Sequence, residues 1–214
     1  MTPDEAFREF VGVIKTLRTP GTGCPWDLEQ NHRSLRPYLI EEAYEVLDAI
    51  DGGDDRSLRE ELGDLLLQVV LHAQVAADRG AFTIGDVVGD ISAKMMRRHP
   101  HVFGSTQVDG SADVIRNWDA IKAAEKAGRP HDDLPKGLPA LMRAQRLGEK
   151  AAKAGRHPEA VAGTIEQASE AFAELESETT GEKLGGLLFA LCQLARRIGV
   201  SAEDCLREST TILK

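Results

Sequence analysis

From Leu39 to Ala77 apolar and polar positions recur with the period of an α-helix, in two runs separated by Asp51-Gly52-Gly53-Asp54. At about 100° per residue, Leu39, Ala43, Val46, Leu47 and Ile50 share one face of the first run, with Glu42 and Glu45 beside it. The second run is apolar almost all round, through Leu62, Leu65, Leu66, Leu67, Val69, Val70, Leu71 and Val75, which predicts a helix enclosed by others. Yet Glu61, Asp64, Gln68 and His72 draw one polar stripe along it. An enclosed carboxylate without a partner is costly, so the stripe calls for something positive beside it.

The same period predicts a helix over Pro3 to Leu17, with Phe7, Phe10, Val11, Ile14 and Leu17 on its face and Thr19-Pro20-Gly21 at its end. The G-T-G-C-P-W-D stretch that follows reads as an irregular loop. Its Trp26 serves either as an anchor buried in the core, the favoured reading, or as a pocket wall. Thr83, with Asp86 three residues on, caps a further helix through Val87, Ile91 and Met95, which His99-Pro100-His101 terminates. Lys94, Arg97 and Arg98 share a face of that helix and can reach one anion, for which paired guanidinium donors suit phosphate; a solvated basic face is the alternative. One more helical run, Val114 to Ala127, sets Trp118 and Lys122 one turn apart, a platform for a base and its phosphates or simply core packing. His131-Asp132, between prolines and with no second histidine motif near, is discounted as an HD-type phosphohydrolase signature.

Across the hairpin, Glu42-x-x-Glu45 faces Glu61-x-x-Asp64. Four carboxylates at one point suit a hard, oxygen-seeking cation, magnesium or manganese. A di-iron bundle would want Glu-x-x-His on two helices, which is not the pattern here. Solvated surface acids are the other reading, weakened by the apolar setting of the second helix.

Bulk composition narrows the field. With 214 residues, 42% hydrophobic, the chain can bury a real core as one large or two small domains. Few β-branched alternating runs, 5% aromatics and 29% charged residues point to an all-α protein. The net charge of −9 argues against sequence-independent binding of a nucleic-acid polymer, and an anionic substrate would need a metal or a local basic cluster. Cys24, Cys192 and Cys205 are odd in number and lack C-x-x-C spacing, so neither a disulfide framework nor a zinc site is expected. The acidic N-terminus lacks a signal-peptide core and no run has the length of a membrane span, so a cytoplasmic protein without membrane attachment is expected.

Glu41-Glu42-x-x-Glu45 followed by Glu61-x-x-Asp64 resembles the E-E-x-x-E…E-x-x-D signature of the MazG-type nucleoside triphosphate pyrophosphohydrolases. The segments G-C-P-W-D-x-E-Q (Gly23 to Gln30), P-Y-L-I-E-E-A-Y-E-V-L-D-A-I (Pro37 to Ile50) and R-R-H-P-H-V-F (Arg97 to Phe103) are similar to that family too. The resemblance implies the all-α nucleotide pyrophosphatase fold, based on four-helix bundles and completed by homodimerisation. It implies the reaction NTP + H₂O → NMP + diphosphate, in house-cleaning of non-canonical nucleotides or stress-related control of nucleotide levels. It implies Mg²⁺ held by Glu42, Glu45, Glu61 and Asp64, a water oriented or deprotonated by Glu41, a triphosphate received by Lys94, Arg97, Arg98 and Lys122, and a base received by Trp118.

The chain then looks like a degraded second copy of itself. Ile165-Glu166-Gln167-Ala168-Ser169-Glu170 matches Ile40 to Glu45, and Glu182-Lys183-Leu184-Gly185-Gly186-Leu187-Leu188 matches Glu60 to Leu66, in a register three residues shorter that predicts a shorter second turn. Gln167, Lys183 and Gly186 stand where Glu42, Glu61 and Asp64 stand in the first copy; a lysine repels a cation and glycine offers it nothing. The expected organisation is a catalytic domain over 1–125, a linker over 126–138 and a degenerate repeat over 139–214, retained for packing, pairing or regulation. Loss of the second set of acids also motivates another reading, a nucleotide-binding regulator or scaffold dimer without turnover.

Overall fold

The computed structural model describes residues 1–126, 134–153, 155 and 161–211, and every regular element among them is helical. The chain divides into two compact units, Met1–Glu125 and Lys126–Lys214. His131-Asp132 and most of the expected linker lie outside the described residues.

In the first unit, α1 (Pro3–Leu17) begins at a capping box: the Thr2 hydroxyl accepts from Glu5 N–H while Glu5 reaches back to Thr2 N–H. A short α2 (Pro25–Glu29) follows, then α3 (Arg36–Gly52) and α4 (Asp55–Asp78). Gly53 takes a left-handed φ of 68° that ends α3, and the next residue, Asp54, accepts from the N–H groups of Arg56 and Ser57 to start α4. A stop and a start in adjacent residues fold the two helices back on each other. Thr83 and Asp86 form the second capping box, at the head of α5 (Ile84–Arg98); α6 (Pro100–Phe103) and α7 (Ser111–Lys126) complete the unit.

The core is one-sided. Ile14 of α1 packs with Leu35 and with Val70, Leu71 and Val75 from the C-terminal half of α4, and Phe7, Phe10, Leu17, Leu67 and Ile84 close around them. The side of α4 turned away from this core is not enclosed as its composition predicts: Leu62, Leu66 and Val69 are 48%, 40% and 39% exposed. The reason is that α3 covers only one side of it. On α3 the buried positions are Val46 and Ala49, while Leu39, Ala43 and Ile50 of the expected face are exposed; the helix is turned so that Glu42 lies in line with the buried side.

Arg18, only 8% exposed, binds the loop after α1 to the end of α4. Its Nε donates to Asp78 Oδ2 at 2.7 Å, and its Nη1 donates to the carbonyls of Asp27 and Gln30. Gly23 in this loop has no room for a side chain, since a Cβ would sit 2.3 Å from the Leu17 carbonyl oxygen. Trp26 is not the buried anchor expected of it: it is 48% exposed and meets Tyr38 edge-on at 6.0 Å. The Arg18 guanidinium holds the loop instead, and the indole is left outside.

The second unit holds α8 (Ala140–Lys153), α9 (Val161–Ser177), α10 (Gly181–Ile198) and α11 (Ala202–Thr211). Gly148 lets α8 and α10 close: the Gln193 side chain fills the space its Cβ would take, donating to the Ala144 carbonyl and accepting from Arg196. α9 packs against α10 as α3 packs against α4, and the expected shorter second turn is corrected. The connection is not shorter, three residues between Ser177 and Gly181 against two between Gly52 and Asp55; α10 instead starts later, leaving Lys183 in its first turn where Glu61 lies in the second turn of α4. Leu184, Leu188 and Leu191 form an exposed stripe on α10 with the same spacing as Leu62, Leu66 and Val69 on α4.

Candidate functional site

The α3–α4 hairpin carries the acids. Carboxylate oxygens of Glu42, Glu45 and Glu61 all come within 4.8 Å of one another, the one such group of potential ligands among the described residues. Asp64 lies outside that tight group but close enough to act on both Glu42 and Glu61. Partial burial, then the charges of Asp64 and Glu45, push the Glu42 carboxyl above its ordinary value, whereas a hydrogen bond from Gln68 works the other way. The Glu61 carboxyl is raised by partial burial and by Glu45, Asp64 and Glu60. No cationic side chain is recorded pairing with these acids among the described residues. The positive partner that the sequence calls for is therefore not supplied there. Glu41, one position off, is exposed.

The basic residues behave differently. Arg97 and Arg98 do converge on a common anion, but that anion is Glu125 of α7: Arg97 Nε lies 2.7 Å from Oε1, and Arg98 Nη2 and Nε lie 2.6 and 3.1 Å from Oε2. The two guanidinium groups hold Glu125 at a pKa of about 2, so this pair stays ionised at neutral pH. Arg98 is the more enclosed, its side chain 14% exposed against 54% for Arg97. Lys94 is half-buried and Lys122 exposed. Trp118 is half-buried, with the Arg98 guanidinium 5.1 Å from its ring centroid and His99 against its edge. A base could stack on that face only after Arg98 moves. Glu125 escaped notice in the sequence because nothing in a single acid at the end of a helix signals a partner 27 residues away.

Farther along α4, Gln68 is buried and donates to Glu42 Oε1 at 3.4 Å. His72 stacks on His32, ring centroids 5.2 Å apart and Nδ1 to Nδ1 2.9 Å. Burial and then the neighbouring His32 push the His72 pKa down, which favours the neutral ring. Gln68 and His72 were visible as part of the polar stripe; His32, in the loop before α3, was not.

The second unit has no comparable group of acids among its described residues. Glu170 is exposed, Gln167 half-buried, and Lys183 pairs with Glu178 at 3.0 Å. No single helix among the described residues is long and apolar enough to cross a membrane.

Comparison with known proteins places these features. A family model described as the MazG nucleotide pyrophosphohydrolase domain matches residues 30–103, a span that holds the four acids and Lys94, Arg97 and Arg98, but not Trp118 or Lys122. The chain is 43% identical to a Thermotoga maritima protein named nucleoside triphosphate pyrophosphohydrolase/pyrophosphatase MazG, over 95% of this chain and 81% of the relative. It is 40% identical to a nucleoside triphosphate pyrophosphohydrolase of Escherichia coli, over 92% and 80%, and 41% identical to one of Mycobacterium tuberculosis, over 82% and 54%.

Proposed function

This chain belongs to the MazG family of nucleoside triphosphate pyrophosphohydrolases, and from that premise we propose that it hydrolyses nucleoside triphosphates to the monophosphate and diphosphate with Mg²⁺ at the α3–α4 hairpin. The observation that carries the reading is the convergence of Glu42, Glu45 and Glu61 to within 4.8 Å, inside the span that the family model matches. The residues fit such an ion: the donor set is all oxygen, the acids crowd and raise one another, and no protein cation is recorded pairing with them. Bound there, Mg²⁺ would offset phosphate charge and favour ionisation of water.

The chain's own groups divide the remaining work. Glu42, Glu45 and Glu61, with Asp64 beside them, would hold the ion. Glu41, beside the ligand face, accepts the proton that the attacking water loses as its oxygen bonds to phosphorus and diphosphate leaves. Lys94, Arg97, Arg98 and Lys122 receive the triphosphate and Trp118 the base, with Glu125 giving way to phosphate at the two arginines. The exposed stripes on α3 and α4 support a homodimer, because a helical hairpin with one open apolar face needs a second surface against it. House-cleaning of non-canonical nucleotides is the cellular role that this chemistry serves.

Incubating the protein with single nucleoside triphosphates and Mg²⁺ should release diphosphate and the monophosphate in equal amounts. Tight nucleotide binding without release would favour the non-catalytic regulator, which the missing acids of the second unit motivate. Excess chelator should stop the reaction, and Ca²⁺ should not restore it, since the larger ion relaxes the octahedral geometry that Mg²⁺ enforces. Robust hydrolysis in chelator would remove the metal from the scheme.

Arg97→Ala should raise KM for every nucleotide by roughly tenfold, the loss of one charge-assisted contact, with little change in thermal stability because the side chain is half in water. Glu125→Gln should lower KM, by leaving the same arginines without a competing carboxylate. Unchanged constants in both variants would mean that the basic face never meets substrate.

A further inference from the structure

The polar stripe of α4 continues past the carboxylates as two hydrogen-bonded groups of side chains, one turn apart. Gln68 Nε2 lies 3.4 Å from Glu42 Oε1. One turn on, His72 Nδ1 lies 2.9 Å from His32 Nδ1, and Arg79 Nη2 lies 3.3 Å from His32 Nε2. Two buried atoms in these groups, Gln68 Oε1 and His72 Nε2, have no partner among the described residues.

Arg79 fixes the direction of the bonds in one group and Glu42 the direction of the bond in the other. A guanidinium only donates, so His32 Nε2 accepts from Arg79. The proton of neutral His32 then sits on Nδ1 and is donated to His72 Nδ1, which leaves the His72 proton on Nε2. At the other end an ionised Glu42 only accepts, so the Gln68 amide presents Nε2 to it and turns Oε1 away. The outcome is a buried donor, His72 Nε2–H, and a buried acceptor, Gln68 Oε1, one turn apart on the same stripe of one helix. Each is costly unsatisfied; the two do not bond each other directly, and one water between them would satisfy both.

We propose that Gln68 and His72, backed by His32 and Arg79, are positioning residues that hold the Glu42 carboxylate in the orientation needed of a cation ligand. The line selects one of the two orientations of the Gln68 amide, the one that offers N–H to Glu42. Without it the amide can present its oxygen to the carboxylate, and Glu42, beside Glu45 and Asp64, is free to turn from the other acids. This inference rests on Glu42, Glu45 and Glu61 being metal ligands, as argued above.

The test is Mn²⁺ binding to the full chain without nucleotide, followed by the electron paramagnetic resonance signal of free Mn²⁺. Glu45→Gln tests the ligand reading itself and should lose binding. Gln68→Met, which keeps length but not the donor, and His72→Phe, which keeps a ring but no N–H, should each weaken Mn²⁺ binding by roughly tenfold, the usual cost of removing a ligand's outer partner. His72→Gln restores a donor and should recover most of the loss, which a merely structural role would not produce. Thermal melts establish that each variant is folded, and Gln68→Met carries the test if His72→Phe is not. Wild-type affinity in folded Gln68→Met, with binding lost in Glu45→Gln, overturns the positioning line alone. Absence of Mn²⁺ binding in the unaltered protein, or wild-type binding in Glu45→Gln, overturns the metal reading and the line with it.

Discussion

Glu61→Gln is expected to lower diphosphate release by at least about two orders of magnitude while the protein stays folded and, without metal, melts a few degrees higher. The rate falls because the amide has no charge to give a cation, and metal stabilisation of developing phosphate charge is worth several kcal/mol. Stability rises because Glu61 sits among Glu42, Glu45 and Asp64, where like charges and partial burial oppose ionisation. Gain in stability with loss of activity is the signature of a site whose residues are arranged for a ligand rather than for the fold. Diphosphate assay and circular-dichroism melts read both halves. Glu170→Gln, at the position of the second unit that aligns with Glu45, should leave the rate within about twofold, since no comparable group of acids includes it among the described residues. A Glu61→Gln protein that unfolds would make the residue structural, and one with full rate would remove it from the site.

The second large effect concerns assembly. Leu62 and Leu66 together changed to aspartate should reduce the particle measured by sedimentation or light scattering to the single-chain mass of 23.3 kDa. Each apolar side chain fully covered by a partner contributes roughly 1.5–3 kcal/mol, and aspartate in the same place would be a buried charge without a counterion. Helix content should persist, because the first unit's core is formed by α1 and the other side of α4. Activity should fall with assembly, since α4 carries both the stripe and Glu61. If the altered protein keeps the mass of the wild type, the stripe is not the contact.

Much of this site was legible because helical period is a local property. The capping boxes and the Gly53-Asp54 turn are written in neighbouring residues, and Glu42, Glu45 and Glu61 could be placed together from spacing across that turn. What escaped depends on pairs that spacing does not encode. Glu125 meets Arg97 and Arg98 from another helix, and His32 meets His72 across 40 positions. The exposed side of α4 shows a different limit: periodicity marks a face as apolar without saying whether this chain or another one covers it. Trp26 shows a third, since a large aromatic in a stretch that reads as a loop, and in fact begins the short helix α2, invites an anchoring role that Arg18 performs instead.

The Arg18 clamp also bears on how the protein opens. Its guanidinium joins two carbonyls at the end of α2 to the Asp78 carboxylate at the far end of α4, and a buried cation cannot lose one of these partners cheaply. The segment between α1 and α3, which brings His32 to His72, is thereby expected to open together with α4, the helix of the first unit that holds six buried residues. Untied, the turns around α2 would exchange their amide hydrogens like any surface loop; tied in this way, they are expected to give them up only when the end of α4 does.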